Sequence, residues 1–350
     1  MKNNIIIKIC NCKENIGLSC HKNSLSEGEK FMNYIILLIG FALLIKGADI
    51  FVDGASSVAK KIGIPPVIVG LTIVSIGTSA PELAVSLISA LKGNNNIAIG
   101  NVIGSNIFNT LMVLGVTTIV LPIIIHKEKV KIDFGVNTIA TILLFIFTFD
   151  SLFGRSSNII SRFDGLILVI LCISYMILLV MKAKKTEMPK PTEEEKNINV
   201  FTKIILIIIG AIGIVLGGQL VVNSASNIAS SLGMSEKLVG LTIVAMGTSL
   251  PELVTSVVAA VKGENEIALG NVLGSNIFNI LLILGTSSLI TPIIVESGLI
   301  IDFSFLVIIT ILLYILVFLN KENEKKLTKV EGALLVALYI GYMIYIISRN

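Results

Sequence analysis

The sequence predicts an all-α polytopic membrane protein with ten transmembrane helices, arranged as two inverted five-helix repeats. Three observations predict it. The 350-residue chain is 54% hydrophobic and only 14% charged, where a soluble domain carries about 25% charged residues. Its apolar runs approach the roughly 20 residues needed to cross a bilayer. Two clusters, Gly77-Thr78-Ser79-Ala80-Pro81-Glu82-Leu83 and Gly247-Thr248-Ser249-Leu250-Pro251-Glu252-Leu253, stand inside such runs and repeat one another at a fixed offset. A carboxylate there costs at least about 2.5–3.5 kcal/mol on insertion scales, so neither cluster is explained by membrane insertion alone.

The elements follow in order. Residues 1–30 form a polar head, read as a disordered tail; its apolar run Ile5–Ile9 is too short for a signal peptide, and Met32 offers an alternative start. Cys10, Cys12, Cys20 and His21 offer metal-ligand chemistry in this tail, at a spacing that fits no common zinc motif. The first repeat, residues 31–181, has apolar runs near 31–52, 67–91, 97–125, 134–149 and 166–181. Cys172, in the fifth run, reads as a small packing side chain. Residues 182–203, rich in Lys, Glu and Pro, form the one internal stretch that reads as a linker. The second repeat, residues 204–350, has runs near 204–222, 238–261, 267–294, 299–319 and 332–347. Five crossings are an odd number, so the second copy enters the membrane from the opposite side. Secondary transporters use such inverted repeats, with the site at mid-membrane where broken helices meet.

Lysine and arginine counts set the expected orientation. With the N-terminus outside, the inner loops hold sixteen lysines, among them Lys60, Lys61, Lys127, Lys262 and the six of the linker. The outer loops and C-terminus hold Lys92, Arg155, Arg162, Lys237 and Arg349, and the tail adds five lysines outside. The linker is therefore placed in the cytoplasm and both termini outside. The net charge of +4 is modest, and its basic residues mark topology rather than a nucleic-acid surface. The bilayer is the expected partner, and no obligate protein partner is evident.

Within the second run, Thr78, Glu82 and Ser86 recur every four residues and form one stripe, flanked by Ser75 and Ser79. The third run adds Asn101, Ser105 and Asn109 at the same spacing. The second repeat supplies Thr248, Glu252 and Ser256, then Asn271, Ser275 and Asn279. Every member offers oxygen, and none is Cys or His. Hard cations such as Ca²⁺ take roughly 6–8 oxygen ligands, whereas soft metals would select thiolate or imidazole. Two empty carboxylates facing each other at low dielectric would repel, so at least one should hold a cation or a proton. Pro81 cannot donate to the carbonyl of Gly77, nor Pro251 to that of Gly247, so each helix opens just before its glutamate. Such open backbone is tolerated in a membrane where it lines a filled cavity.

Plainer roles compete at several of these positions. Ser and Thr in a membrane helix often bond back to the backbone. Gly100 with Gly104, and Gly270 with Gly274, make Gly-x-x-x-Gly pairs that are read as close helix packing. Asp49 and Asp53 stand where the first run ends and are read as interfacial, and Lys46 as snorkelling. The glutamates have no lysine partner of this kind inside a run, and intramembrane acids mark function.

Gly-Thr-Ser-x-Pro-Glu-Leu followed by Gly-Asn-x-x-Gly-Ser-Asn-Ile-x-Asn, present twice, resembles the α-repeats of the sodium/calcium exchanger family, within the wider cation/calcium antiporters. The resemblance runs from Phe31 to the C-terminus. It implies a prokaryotic plasma-membrane antiporter, not an enzyme and without a cofactor, whose transported ions are Ca²⁺ and Na⁺. The first and sixth helices would slide to alternate access. The ion ligands it implies are Glu82 and Glu252, the hydroxyls of Thr78, Ser79, Thr248 and Ser249, Ser105 with Asn109, Ser275 with Asn279, and the backbone carbonyls of Ser75 and Ala245. Gly77, Pro81, Gly247 and Pro251 would break the helices. Many relatives carry Asp where this chain has Asn279, which argues against K⁺ co-transport. The residues leave two further readings open: a H⁺/Ca²⁺ antiporter using the same glutamates, and a cation channel. The channel is disfavoured because the glutamates lack a continuous polar lining.

Overall fold

The computed structural model of the chain describes residues 27–149, 151, 158–186, 192, 197–234, 245–319 and 322–349. The tail cysteines and His21 lie outside the described residues, as do Arg155, Lys190, Lys196, Lys237 and Lys321. The described residues contain eight helices long and apolar enough to cross a membrane, and nine when one bent pair is taken as a single span.

In chain order these are α1 (Glu27–Ile62), the bent pair α2 (Pro66–Thr78) and α3 (Ala80–Leu91), α4 (Asn95–Val120), α5 (Lys127–Thr148) and α6 (Arg162–Lys185). The second half supplies α7 (Val200–Ser231), the shorter α8 (Leu250–Val261), α9 (Asn265–Ile290), α10 (Ile300–Phe318) and α11 (Lys329–Arg349). Residues 235–244, where the seventh apolar run begins, lie outside the described residues.

Several helices outrun their apolar stretches. α1 continues ten residues past the expected end at Val52, and α7 nine past Val222. Hydropathy marks the part of a helix that suits lipid, whereas the helix itself stops where the backbone is turned. Gly63 and Gly233, at φ 76° and 91°, supply that turn just beyond the two helices. Asp49 and Asp53 therefore lie within α1, not at its end. Both make ion pairs: Lys262 Nζ sits 2.7 Å from Asp49, and Lys203 Nζ 3.0 Å from Asp53. Lys46 is exposed and 3.6 Å from Asp49, and it too lies inside α1 rather than near its end.

α1 and α7 cross antiparallel with their backbones almost touching. A Cβ on Gly47 would lie 2.7 Å from the amide of Ile214, and one on Gly217 would lie 2.5 Å from that of Leu44. Side chains there would force the pair apart. The two helices share a small apolar cluster with Ala259, Ala260 and Ala268. A second, larger cluster is built around α4 and α9 and takes in α5, α6, α10 and α11. α9 is buried along almost its whole length.

Gly270 and Gly274 pack as expected, against α2: a Cβ on Gly270 would meet the Val67 carbonyl at 2.6 Å, and one on Gly274 the Leu71 carbonyl at 2.8 Å. For Gly100 and Gly104 no described residue lies within 4 Å of such a Cβ, so the packing expected there is not seen among the described residues. The sequence equivalents of the α2 residues that cover Gly270 are 237 and 241, outside the described residues.

The connections carry two short ribbons that helix-only reasoning did not anticipate. β1 (Ile123–His126) pairs antiparallel with β4 (Glu324–Leu327), and β2 (Ile159–Ile160) with β3 (Ile293–Ile294). Each ribbon joins a connection in the first half to one in the second. Two buried acids tie neighbouring helices in the same way in both halves. Asp133 accepts from Tyr175 at 3.0 Å and Lys182 at 2.9 Å, joining α5 to α6. Asp302 accepts from Tyr342 and Arg349, each at 3.0 Å, joining α10 to α11.

Candidate cation site between the two halves

Each half breaks a helix at the same place. Ser79 (φ −82°, ψ 6°) and Ser249 (φ −93°, ψ 5°) leave helical geometry, and α2 and α3 meet at a bend of 50°. Pro81 and Pro251 then sit in the first turn of α3 and α8, where a missing N–H costs nothing. The break puts Glu82 and Glu252 in a first helical turn, whose dipole favours a negative charge. The expected opening of the helix at Gly77 and Pro81 thus centres on the serine between them. Ala245 lies in a short helical turn, Ala245–Gly247, before the second break.

The two glutamates are fully buried and serviced from across the molecule. Ser249 donates to Glu82 Oε1 at 3.0 Å, and Ser79 donates to Glu252 Oε1 at 2.9 Å. Each carboxylate also receives a longer bond from its own half: Ser105 to Glu82 at 3.4 Å, and Ser275 to Glu252 at 3.5 Å. Thr78 donates to Asn271 Oδ1 at 3.0 Å, and Thr248 to Asn101 Oδ1 at 3.2 Å. Every one of these bonds has its equivalent in the other half. The sequence stripes therefore do converge, and they do so crosswise.

Oxygen is left over at the centre. Oε2 of Glu82 and of Glu252 are buried without a hydrogen-bond partner, and so are Oδ1 of Asn109 and of Asn279. A buried oxygen that accepts nothing is costly unless a ligand meets it. The two carboxylate oxygens, on acids that the crossed serine bonds bring together, suit a desolvated cation. Among the described residues no group of three or more His, Cys, Asp and Glu occurs, so the remaining ligands are hydroxyls, amides and carbonyls. Ser75 and Thr78 are buried beside them, and Thr248 is half-buried.

The chain belongs to the sodium/calcium exchanger family. The model described as sodium/calcium exchanger protein matches residues 32–181 and again 202–348. Among curated proteins, the chain is 36% identical over 326 residues to the putative antiporter CaxA of Alkalimonas amylolytica, covering 90% of this chain and 98% of that one. It is 33% identical over 348 residues to the sodium/calcium exchanger MaX1 of Methanosarcina acetivorans, covering 89% and 98%. A solved structure of the sodium-calcium exchanger NCX_Mj superposes with a TM-score of 0.75 at 34% identity, over 91% of this chain and 99% of that chain. Proteins of this family are transporters, and this one is an exchanger-type membrane protein, not an enzyme.

This exchanger also carries site residues that stripe counting passed over. Asn106 donates to the carbonyl of Asn276 at 3.2 Å, Asn279 donates to Asn106 Oδ1 at 3.0 Å, and Asn276 donates to Thr110 at 2.9 Å. These amides form a buried polar network that joins the two halves. Their signal was present, since Asn106 and Asn276 are motif residues repeated at the same offset, but they fall off the four-residue spacing. At Asn109 and Asn279 the helix widens into π-helical turns, Asn109–Val113 and Asn279–Leu284. Such turns recur at functional sites because they rotate one residue out of register.

Proposed function

We propose that this chain is a secondary antiporter that exchanges Na⁺ for Ca²⁺ by alternating access and extrudes Ca²⁺ across the plasma membrane. The observation that carries the reading is the crossed pair of buried glutamates, each held through Oε1 by a serine of the other half while Oε2 stays unpartnered. Glu82 and Glu252 supply the charge. Thr78, Ser79, Thr248, Ser249, Ser105, Ser275, Asn109, Asn279 and the carbonyls of Ser75 and Ala245 supply neutral oxygen. One oxygen set serves both ions in turn, so their binding is mutually exclusive. Exchange follows when the site opens to one side at a time. The close backbone contact of α1 and α7 at Gly47 and Gly217 supports movement of the two helices as one pair.

The architecture goes with this reading: ten helices in two inverted five-helix repeats, residues 31–181 and 204–350, with the 182–203 linker cytoplasmic and both termini outside. The loop pairings support it. β1 with β4, β2 with β3, and Lys60 with Glu264 at 2.8 Å join only segments that this scheme puts on the same side of the membrane.

Vesicles carrying the purified protein, loaded with Na⁺ and diluted into Na⁺-free medium, should take up labelled Ca²⁺. Uptake driven by a pH gradient and indifferent to Na⁺ would replace the proposal with H⁺/Ca²⁺ exchange on the same glutamates. Currents far above carrier turnover would replace it with a channel.

A further inference from the structure

The geometry assigns Asn101 and Asn271 as positioning residues: each takes the hydroxyl proton of the threonine in the opposite half, and so fixes the direction in which that threonine presents its lone pairs to a cation. This rests on the reading of the site as a cation site, but it concerns two residues outside the ligand set proposed above.

A hydroxyl has one proton and two lone pairs. In a helix, a threonine usually spends the proton on a carbonyl three or four residues back. Thr78 has such a carbonyl within reach, that of Ser75 at 3.3 Å, which already accepts the Ser79 amide at 2.9 Å. If the Thr78 proton went there, both lone pairs of the Ser75 carbonyl would be used. Asn271 Oδ1 lies closer to the Thr78 hydroxyl, at 3.0 Å, and draws the proton away. One ligand is thereby kept open, the second lone pair of the Ser75 carbonyl, and the two lone pairs of Thr78 are held in a single direction.

The asparagine is held in the orientation this needs. Asn271 Nδ2 donates to the Glu252 carbonyl at 3.3 Å and to Ser256 at 2.9 Å. A carbonyl can only accept, so the NH₂ group must face it and Oδ1 must face Thr78. Asn101 repeats the arrangement, with Nδ2 on the Glu82 carbonyl at 3.2 Å and on Ser86 at 2.8 Å, and Oδ1 toward Thr248. Ser86 in turn donates to the Ala98 carbonyl at 3.3 Å, leaving its own lone pair for Asn101. Each chain of donors thus starts at a threonine in the site and runs outward into the other half.

The test is equilibrium binding of ⁴⁵Ca²⁺ to the purified full-length protein. Thr78→Val removes one ligand and should weaken binding about fivefold, the worth of one hydrogen-bond-sized contact. Asn271→Ala lets the Thr78 proton fall back onto Ser75, which closes that carbonyl and swings the Thr78 lone pairs out of their set direction, and should weaken binding about 30-fold. The double variant has no hydroxyl to close the Ser75 carbonyl, so it should return to the level of Thr78→Val alone. A merely structural asparagine predicts the reverse, a double variant weaker than either single one, and that result overturns the inference. So does an Asn271→Ala protein with wild-type affinity. Should Asn271→Ala not fold, the near-isosteric Asn271→Leu, alone and with Thr78→Val, reads the same rescue. The ranking is repeated with ²²Na⁺. A wild-type protein that binds Na⁺ but not Ca²⁺ would end the calcium reading, while the rescue pattern in Na⁺ binding would still decide the role of the asparagines.

Discussion

The two halves of the molecule agree at the centre and differ at the ends. At the centre, Ser79–Glu252 matches Ser249–Glu82, and Thr78–Asn271 matches Thr248–Asn101. Along the second half of α1, Asp49 and Asp53 meet Lys262, and nearer its end Ser56 and Lys60 meet Glu264. The equivalent positions in α7 hold Gln219, Asn223, Ser226 and Ser230, and the counterparts of Lys262 and Glu264 are Lys92 and Asn94. Lys92 has no ion pair among the described residues, and Ser226 Oγ is buried without a partner. The difference teaches where symmetry is required. Under the proposed exchange the site meets the same ions from both sides and keeps both copies, whereas among the described residues only the α1 end carries ion pairs between the halves.

Four measurements break or sharpen that comparison, from the largest effect to the smallest. Glu82→Gln and Glu252→Gln should each reduce Na⁺-driven Ca²⁺ uptake at least about 100-fold, since each removes a buried charge from the shared site. If one variant kept normal uptake, the two halves would not be equivalent. Gly47→Val and Gly217→Val should both be destabilised, by about 1–3 kcal/mol, because each side chain would collide with the backbone of the crossing helix. Thermal unfolding in detergent reads this, and a large loss in only one of them would show the crossing to be one-sided.

Asn109→Ala and Asn279→Ala come next. Asn279 donates to Asn106, whereas both polar atoms of Asn109 are unpartnered. Asn279→Ala should therefore cost about 1 kcal/mol of stability that Asn109→Ala does not, while both weaken ion binding. Equal stabilities would mean that the Asn279–Asn106 bond contributes nothing. The smallest effect belongs to Lys262→Gln. Its ion pairs are partly exposed, and such pairs contribute about 0.2–1 kcal/mol. The change should move the balance of inward- and outward-open forms toward the inward-open one by no more than about fivefold, read by labelling of a cysteine introduced beside the site. Lys92→Gln should leave the balance where it is.

The membrane class, the repeated motifs and every member of the oxygen stripes were legible in the chain itself. Composition reports the solvent a helix prefers, and a proline next to a glutamate inside an apolar run is anomalous without any structure. Helix ends were less legible. Asp49 and Asp53 looked like the polar end of the first run because hydropathy falls there, yet α1 continues to Ile62 and is stopped by Gly63, a backbone event that hydropathy does not register. Asn106 and Asn276 were visible as repeated letters but had no assigned neighbour, since they leave the four-residue spacing.

By itself, then, the sequence determined which residues bring oxygen and charge into the membrane, and which share a helix face, because those follow from spacing along one backbone. Only the tertiary structure decided which residue each one meets. Ser79 stands three positions before Glu82, yet its hydroxyl donates to Glu252, 173 residues away. The helix break at Ser79 turns it off the stripe, and the packing of α3 against the other half brings the second carboxylate to it. Spacing fixes a direction from the helix axis. The partner in that direction is set by how helices far apart in the chain are packed together.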